Sequence, residues 1–271
     1  MAQYIHYVVR KVAIVPYHNP EATWFARNQP DNQGFDTPSF HVSRNANGPA
    51  SRVRRGDHIW LVSELQTPWQ RFPPALDACI RVASVQREEH SRKPGLQIRY
   101  LAAPESRWFP LHDAFASLQT LESIDSKNHC QPLLSRHNLS VGIALQSMRQ
   151  LVDASPLLRL ADVIDRQGHD FISYRLADGT CAASALAKRL VSQGKSVFWD
   201  RWSLPRRLAE RREFVSDLAL EQYITLNIET SNRVWGILTP TYNAPGCYAL
   251  KESDLARKLG KYVGIVPSEI N

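Results

Sequence analysis

Residues 169–200 read HDFISYRLADGTCAASALAKRLVSQGKSVFWD, and the pattern of apolar residues in this segment predicts the fold of the second half of the chain. Its first part, 170–174, is a short apolar segment typical of a strand. The middle carries apolar residues at i, i+3, i+4 and i+7, which predicts an amphipathic helix: Ala183, Leu186, Ala187 and Leu190. Gly194 predicts a left-handed helix end, and 196–199 follows as a second strand.

The same alternation continues to the C-terminus. The pattern predicts a long helix from Arg206 to about Ile228, a third strand at 233–239, a helix at 249–259 and a fourth strand at 262–266. Such alternation favours right-handed crossovers and a mostly parallel sheet. In the flavodoxin-like order 2-1-3-4, ligands bind at the carboxyl ends of strands one and three, where the connections diverge.

The first half of the chain is different in kind. Short runs rich in β-branched and aromatic residues predict strands, separated by polar loops, and suggest a barrel-like β-rich domain. These runs are 4–9, 11–15, 56–63, 78–85 and 96–102. Apolar residues at near-helical spacing predict a connecting helix over 140–151. The sequence thus predicts an α/β protein with a β-rich domain at 1–126, a linker and connecting helix at 127–159, and a second domain at 160–271.

Composition excludes several classes of protein. Of 271 residues, 43% are hydrophobic and 22% are charged, which excludes disordered, collagen-like and coiled-coil chains. The four cysteines show no C-x-x-C spacing, and His129, Cys130 and His137 lack the partners of a metal site, so we expect no metal. Without a signal peptide or an apolar membrane span in the sequence, we expect a cytoplasmic protein.

The net charge of +7 lies mostly in residues 1–150, which hold 17 Lys and Arg against 12 Asp and Glu. Arg52, Arg54 and Arg55 precede a turn into an aromatic strand, and basic residues beside aromatic ones can bind nucleic acid. The alternative is that Trp60 belongs to the core and the arginines form a solvated turn. The phrase GDHIWLVS at 56–63 is faintly similar to the barrel entry of PUA-like domains, which recognise RNA or modified DNA bases.

Four segments of the second half resemble the TIR (Toll/interleukin-1 receptor) domain, in the order that family has them. DFISYR at 170–175 resembles its first strand, and VFWDRWSLP at 197–205 its second strand and BB loop. VWGILTPTY at 234–242 resembles its third strand, and YALKE at 248–252 its W-x-x-x-E signature with tyrosine in place of tryptophan. Together they cover about residues 160–271.

The resemblance implies an enzyme that cleaves NAD⁺ at the nicotinamide–ribose bond, commonly in bacterial antiphage defence, and that self-associates through its TIR domain. It implies Glu252 as the catalytic residue, although the helical pattern alone makes this a solvated glutamate. It implies that the nucleotide site is lined by Tyr174, Arg175, Trp199, Asp200, Trp202 and Tyr248. NAD⁺ is then a substrate, and no cofactor is expected.

The chemistry suits those residue types. Nicotinamide leaves as a neutral molecule, and a carboxylate near the ribose can stabilise the oxocarbenium-like transition state. The BB-loop segment departs from the family pattern because Arg206 stands after Pro205 where many relatives have glycine. Two other classes stay open: a TIR scaffold without catalysis, and a nucleic-acid sensor that acts through the first domain.

Overall fold

The structure is a computed structural model that describes residues 1–8, 10–11, 37–67, 70–89, 95–124, 129–134, 140–174, 180–203, 218–237 and 263–266. Outside these residues lie most of the predicted strand at 11–15, the first part of the predicted helix at 206–228 and all of the predicted helix at 249–259. The described chain forms two sheets and seven helices, so the α/β expectation is confirmed at the level of a mixed α/β protein.

The first sheet has ten strands. They are β1 (Gln3–Tyr7), β2 (Arg10–Lys11), β3 (Phe40–Ser43), β4 (His58–Gln66), β5 (Arg71–Glu89), β6 (Leu96–Ala102), β7 (Arg107–Trp108), β8 (Glu122–Ile124), β9 (Cys130–Pro132) and β10 (Arg149–Leu151). Three short helices lie between them: α1 (Pro49–Arg52), α2 (Phe115–Gln119) and α3 (Val141–Ala144).

The order in the first sheet is β3-β6-β5-β4-β1-β10-β8-β9, with β2 on β4 and β7 on β5. β1 runs parallel to β4 and antiparallel to β10, so the sheet is mixed. The long strand β5 pairs with β4 over one part and with β6 over another, with register shifts in both ladders. The ladder of described strands runs from β3 to β9 without closing, where the sequence suggested a barrel.

The connecting helix expected over 140–151 is wrong. The segment contains the four-residue helix α3 followed by β10, which joins the first sheet. The apolar residues do not share one helix face: Ile143 is 62% exposed, Met148 packs in one cluster, and Leu145 and Leu151 pack in another. The four apolar residues therefore have near-helical spacing but no common buried side.

The second sheet has four parallel strands: β11 (Asp170–Ser173), β12 (Val197–Phe198), β13 (Arg233–Ile237) and β14 (Val263–Val266). Their order, β12-β11-β13-β14, is the 2-1-3-4 order that the sequence predicted. The helices of this half are α4 (Ser155–Gln167), α5 (Thr180–Ser192), α6 (Asp200–Ser203) and α7 (Leu218–Thr230). Gly194 has φ +75°, which confirms the left-handed end after α5.

Helix α4 packs against the first sheet, although it precedes the first strand of the second. Its buried side, Leu157, Leu160, Ala161 and Ile164, belongs to the cluster that contains Ile5 and Trp60. The expected linker at 127–159 thus contributes two strands and the start of this helix. The proposed division into domains at 126 and 160 stays a prediction.

One apolar cluster joins the two sheets. It combines Leu65, Phe72, Ala75 and Leu111 from the first half with residues of α5, β12 and α6 from the second. At its edge Leu111 and Val197 exchange two main-chain hydrogen bonds of 2.9 Å each, so the end of the second sheet is covered by the first half. None of the described helices combines the length and apolar character needed to cross a membrane.

Candidate active site

The centre of the second sheet has the geometry of a topological switch point. β11 pairs in parallel with β12 on one side and with β13 on the other. Along the chain, β11 is followed by β12 on one side of it, and β13 is followed by β14 on the other side. In open parallel sheets, ligands bind at the carboxyl ends of the strands where the order diverges in this way. Tyr174 is the residue directly after β11, and Asp200 begins α6 shortly after β12.

Tyr174, Asp200 and Arg201 form a hydrogen-bonded network at these strand ends. The Tyr174 hydroxyl donates to Asp200 Oδ1 at 2.7 Å, and Arg201 Nε donates to the same hydroxyl at 3.0 Å. Arg201 Nε also lies 3.8 Å from Asp200 Oδ2. The network therefore fixes the position of the α6 segment relative to the end of β11.

Burial determines the electrostatics of this network. The Arg201 side chain is fully buried, whereas that of Asp200 keeps 20% of its surface exposed. Burial raises the pKa of the Tyr174 phenol well above its ordinary value, so the hydroxyl remains a donor at neutral pH. Burial also raises the pKa of the Asp200 carboxyl, and the Arg201 guanidinium opposes that rise.

This arrangement assigns different work to the three residues. Asp200 can accept a hydrogen bond from a ligand hydroxyl through its exposed surface. The Arg201 side chain has no exposed surface, so it cannot contact a ligand and instead holds Tyr174 and Asp200 in place. The sequence placed Tyr174 and Asp200 in one site, and the structure brings them together.

Trp199 and Trp202 occupy the interior, where the sequence placed them in a loop over the nucleotide. Neither has any exposed surface. The Trp202 indole Nε1 donates to the Phe109 carbonyl at 2.9 Å, and the Trp199 ring lies 5.8 Å from the Phe72 ring. In this conformation the two indole rings pack in the apolar cluster beneath α6, on its interior side, and neither ring is accessible to a ligand.

Three predicted residues, Arg175, Tyr248 and Glu252, lie outside the described residues. Their roles stay predictions. Within the described ranges, no three His, Cys, Asp or Glu side chains come together as a metal site would require.

Sequence reasoning assigned no role to Arg201. The sequence does contain a signal for such a role, because Arg201 directly follows the acidic Asp200 at the end of an apolar strand. Sequence reasoning also missed the pair His6 and His41, whose Nδ1 and Nε2 atoms lie 2.7 Å apart. Burial lowers the pKa of His6 to about 4 and that of His41 well below its ordinary value, so both rings are neutral at physiological pH.

Comparison of the chain with protein-family models, with curated proteins and with solved structures finds no match. A functional assignment therefore depends on the quoted segments, the strand order and the geometry at the strand ends.

Proposed function

We propose that the protein is an NAD⁺ glycohydrolase of the TIR type, acting in bacterial antiphage defence and activated by self-association. The observation that carries this proposal is the Tyr174–Asp200 hydrogen bond at the carboxyl ends of a parallel sheet with order 2-1-3-4. This hydrogen bond connects two of the four segments that resemble TIR domains, 170–175 and 197–205. The contact lies at the carboxyl ends of the strands, where open parallel sheets bind ligands.

The proposed reaction breaks the bond between C1′ of the ribose and the nicotinamide nitrogen. The electron pair of that bond passes to the nitrogen, so nicotinamide leaves as a neutral molecule without a general acid. Glu252 stabilises the cationic ribose and holds its hydroxyls. Water then adds at C1′ and loses a proton to give ADP-ribose, or an adenine nitrogen adds to give a cyclic product.

The other predicted residues are positioning and binding groups in this proposal. Arg175 binds a phosphate, because a guanidinium matches phosphate oxygens with paired donors. Tyr248 stacks on the substrate. Asp200 accepts a hydrogen bond from the ligand, while Trp199 and Trp202 support its backbone from the core.

The test is NAD⁺ conversion by the wild type, Glu252→Gln and the matched control Glu229→Gln. Glu229 is an exposed glutamate near the end of α7. We expect Glu252→Gln to reduce turnover at least about a hundredfold, as loss of one transition-state stabilising group does, while Glu229→Gln keeps wild-type turnover. Chromatography of nicotinamide, ADP-ribose and cyclic products provides the readout at several protein concentrations.

Equal turnover by the wild type and Glu252→Gln would overturn the catalytic assignment. Absence of turnover in a wild-type protein that associates with rising concentration would support a TIR scaffold without catalysis.

A further inference from the structure

A cleft of about 520 Å³ opens on the first sheet. It lies between strands β5 and β6 and the turn at residues 53–57, which follows α1. Its polar lining consists of Ser51, Arg54, Arg55, Ser84 and Arg87, and no acidic residue contributes to it. The volume lies within the range of small-molecule sites in proteins, roughly 300–1,000 Å³. Sequence reasoning identified the arginines of the turn but missed Arg87, which the register of β5 brings to them.

The Asp57 carboxylate holds the turn in place. Its Oδ2 accepts from the Arg54 main-chain N–H and its Oδ1 from that of Ala2, both at 2.8 Å. Asp57 is only 7% exposed. Its charge is thus engaged by main-chain donors, and no ion pair forms between it and the cleft arginines.

Main-chain hydrogen bonds connect the same turn to β5. The Gly56 N–H donates to the Val82 carbonyl at 2.8 Å, and the Val82 N–H donates to the Asp57 carbonyl at 2.9 Å. Gly56 has φ +89°, a conformation that a residue with a side chain rarely adopts. The turn is therefore fixed beside the strand that carries Ser84 and Arg87.

Arg54 is pre-oriented for an anion. Its Nη1 donates to the carbonyls of Ser51 at 2.9 Å and Val53 at 3.1 Å. A guanidinium has five N–H donors, so those on Nε and Nη2 remain for a ligand. Fixing the side chain before binding reduces the entropy that a ligand contact would otherwise cost.

The arginines of the cleft differ from three other arginines of the first half. Arg81, Arg99 and Arg107 each form an ion pair of 2.7–2.8 Å, with Glu105, Glu88 and Asp165. Among the residues that the structure describes, no carboxylate lies within ion-pair distance of Arg54, Arg55 or Arg87. Three guanidinium groups therefore line one cleft without a carboxylate partner among the described residues.

We propose that this cleft binds the phosphoryl groups of a nucleotide or of a nucleic-acid strand. Guanidinium groups match phosphate oxygens in charge and in hydrogen-bond geometry. The Ser84 hydroxyl adds a neutral donor, whereas the Ser51 hydroxyl already donates to the Gly48 carbonyl at 2.8 Å. Recognition rests on phosphate rather than on stacking by Trp60, since that ring is 2% exposed and its Nε1 donates to Gln3 at 2.9 Å. The site is separate from the proposed NAD⁺ site and does not depend on it.

The test compares Arg55→Gln/Arg87→Gln with the control Arg159→Gln/Arg166→Gln in the full-length protein. The control removes the same charge from exposed positions on α4. Arg54 is left unchanged because its side chain also bonds the main chain of the turn. The ligands are a short fluorescent single-stranded oligonucleotide, followed by anisotropy, and ADP and pyrophosphate, followed by calorimetry.

We expect the cleft variant to bind at least about tenfold more weakly and to lose part of the salt dependence, at roughly 0.7 per lost phosphate contact on a single strand. The control should bind like the wild type. Binding of ADP and pyrophosphate identifies a free-nucleotide site, and binding of the oligonucleotide alone identifies a nucleic-acid site. Absence of binding to all three ligands at low salt, or equal weakening in both variants, would overturn the proposal.

Discussion

At the scale of single residues, Arg201 holds the network at the ends of β11 and β12 together. It is a fully buried cation whose partners include the Tyr174 hydroxyl and the Asp200 carboxylate. A buried charge is tolerated only when neighbouring groups compensate it. Asp200 therefore serves stability as well as the proposed site.

Replacement of Asp200 by asparagine should lower the free energy of unfolding by about 2 kcal/mol, since it removes the charge opposite Arg201. Tyr174→Phe removes the hydroxyl that links the two and should cost about 1 kcal/mol. Urea denaturation measures both. The control is Asp162→Asn, an exposed carboxylate on α4. If Asp200→Asn were no more destabilised than this control, the network would not be the support inferred for it.

The sequence predicted part of this network. The strand-end positions of Tyr174 and Asp200 follow from the apolar runs before them, and those runs are visible locally. The burial of Trp199 and Trp202 depends on Phe72 and Phe109, which are about a hundred residues away in the chain. No local pattern contains that information.

At the scale of elements, β12 and α6 are fastened to the first half of the molecule. The Leu111–Val197 pairing fixes the strand, and the hydrogen bond from Trp202 to Phe109 fixes the helix. The elements near the proposed site thus take their position from residues 109–111 as well as from their own sheet.

Trp202→Phe should lower the free energy of unfolding by about 3 kcal/mol, because it removes this hydrogen bond and part of a buried ring. Hydrogen exchange should quicken at β12 and α6 more than at β6. The control is Leu226→Ala, a truncation at a side chain that is 55% exposed. Unchanged exchange at β12 would mean that Trp202 does not secure this segment.

The elements also show where sequence patterns suffice. β6 spans Leu96–Ala102 as predicted, because its alternating apolar residues are bounded on both sides by residues that end strands. The segment 140–151 failed because its apolar side chains face two different clusters. Spacing alone does not distinguish these cases.

At the scale of the whole molecule, the two sheets share the cluster around Leu111, Trp199 and Trp202. The change from β-rich segments to strand–helix alternation predicts two domains, with the second beginning at residue 160. The sequence could not reveal the shared cluster. Its members are ordinary apolar residues from both halves of the chain, and no local pattern marks them as contacting each other.

The shared cluster predicts that the chain unfolds in one cooperative transition. Calorimetry should give one peak whose calorimetric and van't Hoff enthalpies agree. Leu111→Ala, at a fully buried position, should lower the free energy of unfolding by about 2–5 kcal/mol without splitting that peak. Leu158→Ala, at a side chain that is 50% exposed, is the control. Two resolved transitions in the wild type would contradict a shared core.

The pairing of Leu111 with Val197 has a consequence for how copies of this protein could meet. An unpaired edge strand invites another chain to add its own strand, which leads to edge-to-edge aggregation. Here the main-chain groups of Val197 are already engaged from within the same molecule. The segment around Leu111 therefore occupies the position that a strand of a second copy would take. A second copy could pair with β12 at Val197 only after the Leu111–Val197 hydrogen bonds break.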